Sequence, residues 1–168
     1  MPNWCNNEVT IVHKNKTAID RVVKAFERDQ LCNEFIPVPQ ELLDVQSPNT
    51  ENAEELIEKH GFPSWYEFCI AKWGTKWDPC DGIITRINNK SVLLQFNSAW
   101  SPPLGLYEVM AKEGYDITAH YYEPDGDFAG TWTSADGGLD YSIGEMPKEL
   151  DELFGHSANQ EMWEVKNE

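Results

Sequence analysis

The residues with the most chemical potential in this chain stand together in Trp73-Gly74-Thr75-Lys76-Trp77-Asp78, with Trp65 and Tyr66 just upstream and Pro79-Cys80-Asp81-Gly82 just after. Indole rings can stack on a planar ligand, and a nucleobase on an aromatic ring is worth about 1–3 kcal/mol. An ammonium such as that of Lys76, set over an indole face, gains about 0.5–2 kcal/mol. Gly74 allows a backbone turn closed to other residues. Trp4, Trp100 and Trp132 fall near the ends of expected strands, where they could join Trp73 and Trp77 in one aromatic wall. Two readings follow. In one, Trp4, Trp73, Thr75, Lys76, Trp77 and Trp100 form a pocket that stacks a nucleobase, with Lys76 or Arg86 meeting a phosphate. In the other, the tryptophans are core and lid over a sheet face, because Trp packs large apolar area.

Other constellations that could do chemistry fail on spacing. His13, His60, His120 and His156 are solitary, and the separation of Cys69 from Cys80 is unlike the close pairs of structural zinc sites. Glu123, Asp125 and Asp127 flank Gly126 as in a calcium loop, but the twelfth position counted from Glu123 is Ser134 where a glutamate is required. There is no nucleophile elbow, Walker loop or dinucleotide fingerprint. Cys5 is a nucleophile only if a base approaches it. The sequence thus names no catalytic residue, no metal ligand and no cofactor.

Charge narrows the partners. The chain has 168 residues, with 13 Lys and Arg against 29 Asp and Glu, a net charge of −16. Residues 113–168 hold 14 acidic residues and two lysines, so that third carries −12 of the total. Such a surface repels phosphate backbones within a Debye length of about 8 Å, which disfavours direct nucleic-acid binding and favours a basic partner. Asp125, Asp127, Asp151 and Glu152 are the residues through which this third would engage one. No apolar stretch approaches the ~20 residues that span a bilayer, and the N-terminus lacks the pattern of a secretion signal. A cytoplasmic protein with reduced cysteines is expected.

The elements that must position these groups read as α+β. Glu8–His13 is a strand, followed by an amphipathic helix capped by Thr17 and running to about Gln30, with Ile19, Val22, Val23 and Phe26 inward. Residues 35–48 read as an extended, proline-bearing loop with one helical turn. Asn49–His60, closed by Gly61, and Pro63–Trp73, capped by Ser64, read as helices. Ile83–Ile87 and Ser91–Phe96 form a hairpin. Pro102-Pro103 opens a helix with Leu106, Val109 and Met110 inward, ended by Gly114. Strands follow at Tyr115–Tyr122, Phe128–Thr133 and Leu139–Ile143, then an acidic helix from Pro147 to Phe154 and a tail that is polar apart from Trp163. Strand, helix, strand, strand, helix, strand is the ferredoxin-like split βαβ order. The expectation is a single domain with that core at about 8–30 and 83–143, a helical Trp-rich insertion at about 31–82, an extra C-terminal hairpin, and an acidic helix and tail at 144–168.

Four segments, taken in order, resemble a known group: Met1-Pro2-Asn3-Trp4-Cys5-Asn6-Asn7, the Trp-Gly-Thr-Lys-Trp-Asp hexapeptide, Ser98-Ala99-Trp100-Ser101-Pro102-Pro103, and Tyr122-Glu123-Pro124 leading to Phe128-Ala129-Gly130. They are similar to the uncharacterised phage and plasmid proteins of the Api-like family, over most of residues 1–143. The resemblance implies a ferredoxin-like domain and an origin in a bacteriophage or mobile element, and carries no reaction with it. The expected function is a non-enzymatic binding protein that captures a small nucleotide-like ligand or a host protein in the bacterial cytoplasm and so counters host defence. The alternatives are an acidic nucleic-acid mimic that inhibits a host DNA- or RNA-binding enzyme, and a small-nucleotide hydrolase.

Overall fold

The computed structural model describes residues 3–159; Met1, Pro2 and the tail with Trp163 lie outside the described residues. Its centre is an antiparallel sheet of six strands: β1 Trp4–Val12, β2 Cys80–Asn88, β3 Ser91–Ala99, β4 Asp116–Glu123, β5 Phe128–Thr133 and β6 Gly137–Ser142, in the spatial order β2-β3-β1-β4-β5-β6. The first four carry the split βαβ order, and β5 and β6 add the hairpin at one edge. Alternation within β1 shows why the sheet has two unlike faces: Cys5, Asn7, Val9 and Ile11 are buried, whereas Asn6, Glu8 and Thr10 on the other side are half-buried.

Two helices cover the apolar face. Helix α1, Lys16–Phe26, buries Ile19, Val22, Ala25 and Phe26 at helical spacing. It begins one residue before Thr17, so Asn15 and not Thr17 is the N-cap, and no side-chain cap bond is made. The insertion contributes α2 Leu31–Phe35, α3 Gln40–Leu43, α4 Ala53–His60 and α5 Trp65–Lys72. The second covering helix, α6 Leu104–Lys112, buries Leu106, Tyr107 and Met110. Insertion residues Leu31, Cys32, Leu42, Leu56, Phe68 and Trp73 belong to the same apolar cluster as Val9, Leu94 and Ile117 of the sheet, so the insertion shares the core. Helix α7, Lys148–Phe154, lies against the opposite face, where Leu150 and Phe154 meet Tyr122 and Ala129.

Several boundaries differ from the sequence expectation for local reasons. β1 starts at Trp4 because its polar Asn6 and Asn7 pair with both β3 and β4, and ladder bonds outweigh low strand propensity. Residues 31–34, to which the sequence assigns no element, form α2 together with Phe35, read as the start of the loop. Ser64 caps α5 as expected, its hydroxyl accepting from the Tyr66 N–H at 3.2 Å. Among the described residues no helix is long and apolar enough to cross a membrane.

Candidate functional site

The hexapeptide from Trp73 to Asp78 is fixed at four of its six positions. The Trp73 indole N–H donates to the Ile36 carbonyl at 2.9 Å, and the Trp73 carbonyl accepts from the Gly105 N–H at 3.1 Å. Gly74 has φ +88° and lies against the Pro102 carbonyl, and its own carbonyl accepts from the Ser101 hydroxyl. The Thr75 hydroxyl, fully buried, donates to the Ala99 carbonyl at 3.0 Å. Asp78 accepts from the N–H groups of Cys32, at 2.6 Å, and Asn33, at 2.9 Å, and so supplies the acceptors that the first turn of α2 lacks. With these four turned inward, Lys76 and Trp77 are the two that project.

Around them an aromatic surface assembles. Trp4 lies 6.3 Å from Trp77 between ring centroids, and Trp100 lies 6.2 Å from Tyr66, which in turn meets Trp65 edge-on. Trp4, Trp77 and Trp100 remain 39%, 40% and 37% exposed, while Trp73 is 5% exposed. The structure therefore brings together Trp4, Lys76, Trp77 and Trp100. It places Trp73 and Thr75 in the scaffold behind them. Trp132 is buried against Tyr107 and takes no part in this surface. Arg86, on β2, stands apart, its guanidinium paired with Asp20 of α1 at 2.7 Å.

Beside this surface is a cavity of about 240 Å³, walled by Val38, Leu43, Trp65, Cys69, Trp73 and Trp77, with Gln30, Asn33, Lys76 and Asp78 supplying polar groups. Its volume lies just under the about 300–1,000 Å³ of sites for drug-sized ligands, which suits one ring system. Trp65, Asn33 and Asp78 line the cavity; the sequence places Trp65 and Asp78 in the aromatic-rich segment without assigning either to a ligand, and does not point to Asn33. The signal for Asp78 was its place at the end of the hexapeptide, but its partners on α2 are 45 and 46 residues away.

Burial governs the titratable groups here. It pushes the Asp78 carboxyl up from 3.8 to about 6, against the pull of the Cys32 and Asn33 N–H donors. The Cys69 thiol, and the Cys5 thiol beside Trp4, are each pushed up to about 12 by burial, and Cys32 well above its ordinary value, so all three stay protonated at neutral pH. Because the folded state holds the Asp78 proton more tightly than the unfolded chain, stability from this group rises as pH falls through 6 towards 3.8. The expected result is that the wild-type melting temperature gains on that of Asp78→Asn between pH 7.5 and pH 5. A difference that is flat or shrinks over that range contradicts the assignment.

The acidic residues follow β4, at the end of the sheet where Asn6 of β1 pairs with Tyr122, and continue on α7; they are partly engaged. Asp127 accepts from the Ile143 N–H at 3.2 Å, and the Asp125 N–H donates to buried Glu123 at 2.9 Å. On α7, Asp151 accepts from the Ser157 N–H and hydroxyl, and Glu152 pairs with Lys148 at 3.1 Å. Among the described residues no three His, Cys, Asp or Glu side chains are grouped to hold a metal ion.

No protein-family model matches the chain, and no curated protein matches it. Among solved structures the chain is similar to the protein api92 from Yersinia pseudotuberculosis, at 12% identity and a TM-score of 0.47, over 88% of this chain and 100% of that one.

Proposed function

We propose that this is a non-enzymatic binding protein that captures a small nucleotide-like ligand by its base. The reading rests on one observation: the aromatic-walled cavity between Trp65, Trp73 and Trp77, with Asn33, Gln30 and Asp78 at its polar edge. A base stacked on Trp77 would meet Gln30, Asn33 and Asp78 through the donor and acceptor sites left over from their bonds to one another and to the backbone of Cys32, Asn33 and Val38. Among the described residues Lys76 is the one cation lining the cavity, and Arg86 is engaged elsewhere, so the base contributes more to recognition than a phosphate does. Origin in a phage or mobile element, action in the bacterial cytoplasm and interference with host defence complete the proposal, and these rest on the motif resemblance alone. Host proteins are the alternative ligands of the exposed rings.

The test is a calorimetric panel of nucleobases, nucleosides and nucleotides. Trp77→Ala should weaken the best ligand by about 5- to 150-fold, the equivalent of about 1–3 kcal/mol of stacking. Ligand released by heat should be recovered unchanged. Inorganic phosphate binding as well as the nucleotide, or a hydrolysed product, defeats the proposal.

A second reading, imitation of nucleic acid by the acidic third, is supported by its net charge of −12. It predicts that added salt, and amide replacements at Asp125, Asp127, Asp151 and Glu152, weaken a basic partner while leaving nucleoside binding untouched.

A further inference from the structure

Three rings surround one ammonium. The Lys76 Nζ lies 4.4 Å from the centroid of Trp77, 5.2 Å from that of Trp100 and 5.6 Å from that of Tyr66. Among the described residues no carboxylate comes within 4 Å of it, although the chain carries more than twice as many acidic as basic side chains. The ammonium is therefore held by ring faces, which attract cations through their negative quadrupole. Trp100 reaches this position with φ +71°, a conformation that bulky L residues rarely adopt and that persists only where the surroundings enforce it. Thr75, bonded to the adjacent Ala99 carbonyl, and the Trp100 N–H, bonded to the Asn3 carbonyl at 2.9 Å, supply that enforcement.

We propose that Tyr66, Trp77 and Trp100 form a binding site for a quaternary or N-methylated ammonium group, and that Lys76 is its internal occupant, displaced when such a cation arrives. The primary ammonium of Lys76 is strongly hydrated and loses water contacts inside the cage, whereas a methylated ammonium has little hydration to lose and fills the space between the rings. The four-carbon stem of Lys76 lets it swing out without backbone movement. Net negative charge draws cations towards the protein from a distance. The site shares Trp77 and Lys76 with the base-capture cavity, whereas Tyr66 and Trp100 do not line that cavity, so choline binding is read through those two rings and the Lys76 ammonium.

Choline is the probe, and its uncharged isostere 3,3-dimethyl-1-butanol the control. Calorimetry should show Lys76→Met binding choline about tenfold more tightly than the wild type, since the competing occupant is gone. Trp100→Gly relieves the positive φ while removing one ring, so it folds, and it should weaken choline about fivefold or more. In the unmodified protein the ε-methylene protons of Lys76, shifted upfield by the rings, should move towards their solvent values as choline is added. The proposal is overturned if the isostere binds as well as choline, if Lys76→Met and wild type bind choline alike, or if the Lys76 resonances stay in place at saturation. Loss of nucleoside binding has no bearing on these readouts.

Discussion

Alanine at Gly105 destabilises the protein by about 3 kcal/mol or more, measured as a lowered denaturant midpoint, and disorders the Lys76–Trp77 surface with it. Propensity alone argues the reverse, because Gly→Ala inside a helix ordinarily gains up to about 1 kcal/mol. Contact decides the sign. A Cβ at Gly105 would overlap the Lys72 carbonyl oxygen and lie 2.9 Å from its carbon, and both belong to the backbone at the end of α5, which cannot rotate aside. The Gly105 N–H also holds the Trp73 carbonyl, so separating α6 from α5 pulls on the first residue of the hexapeptide. Gly61→Ala is the companion experiment: Gly61 has φ +82° with nothing within 4 Å of an added methyl, so only conformational strain opposes alanine there. Its cost should be about 1 kcal/mol with ligand binding intact. Equal effects at the two glycines would show that contact between the helices is not what Gly105 provides.

Trp73→Ala should cost about 3–5 kcal/mol, the range for a large aromatic side chain removed from a core, and should abolish ligand capture by opening the cavity wall into the interior. Trp73→Phe separates packing from hydrogen bonding. It keeps most of the apolar surface and loses the bond to the Ile36 carbonyl, which is then left without its donor, for an expected loss of about 1–3 kcal/mol. Thermal denaturation of the two variants beside Trp77→Ala completes the comparison. Trp77 is exposed, and its removal should move stability little while moving ligand affinity strongly. If Trp77→Ala destabilises as much as Trp73→Ala, the division between inward and outward tryptophans is wrong.

That division marks where sequence reasoning ran out. The strands and the two covering helices were legible because their apolar residues repeat at periods of two and 3.6, and burial of one face is all that such patterns encode. Helix α2 was not legible. Five residues, Leu31–Phe35, are too few to show a period, and their N-terminal amides are satisfied by Asp78, which arrives from another part of the chain. The same holds for Arg86: its nearness in sequence to the tryptophans suggested a shared site, while its partner is Asp20 on α1. Within the hexapeptide composition announced an aromatic cluster, yet composition is identical for an indole in the core and one at the surface. Only the bonds to Ile36 and Ala99 sort Trp73 and Thr75 from Lys76 and Trp77.

The way Trp73-Gly74-Thr75-Lys76-Trp77-Asp78 is pinned divides its positions by their tolerance of substitution. Four of its positions are committed to the scaffold through bonds reaching Ile36, Ala99, Ser101, Cys32 and Asn33, so a substitution at any of them disturbs the loop itself. Positions 76 and 77 carry no such obligation. Substitutions at these two positions are therefore expected to change the exposed surface while the loop keeps its shape.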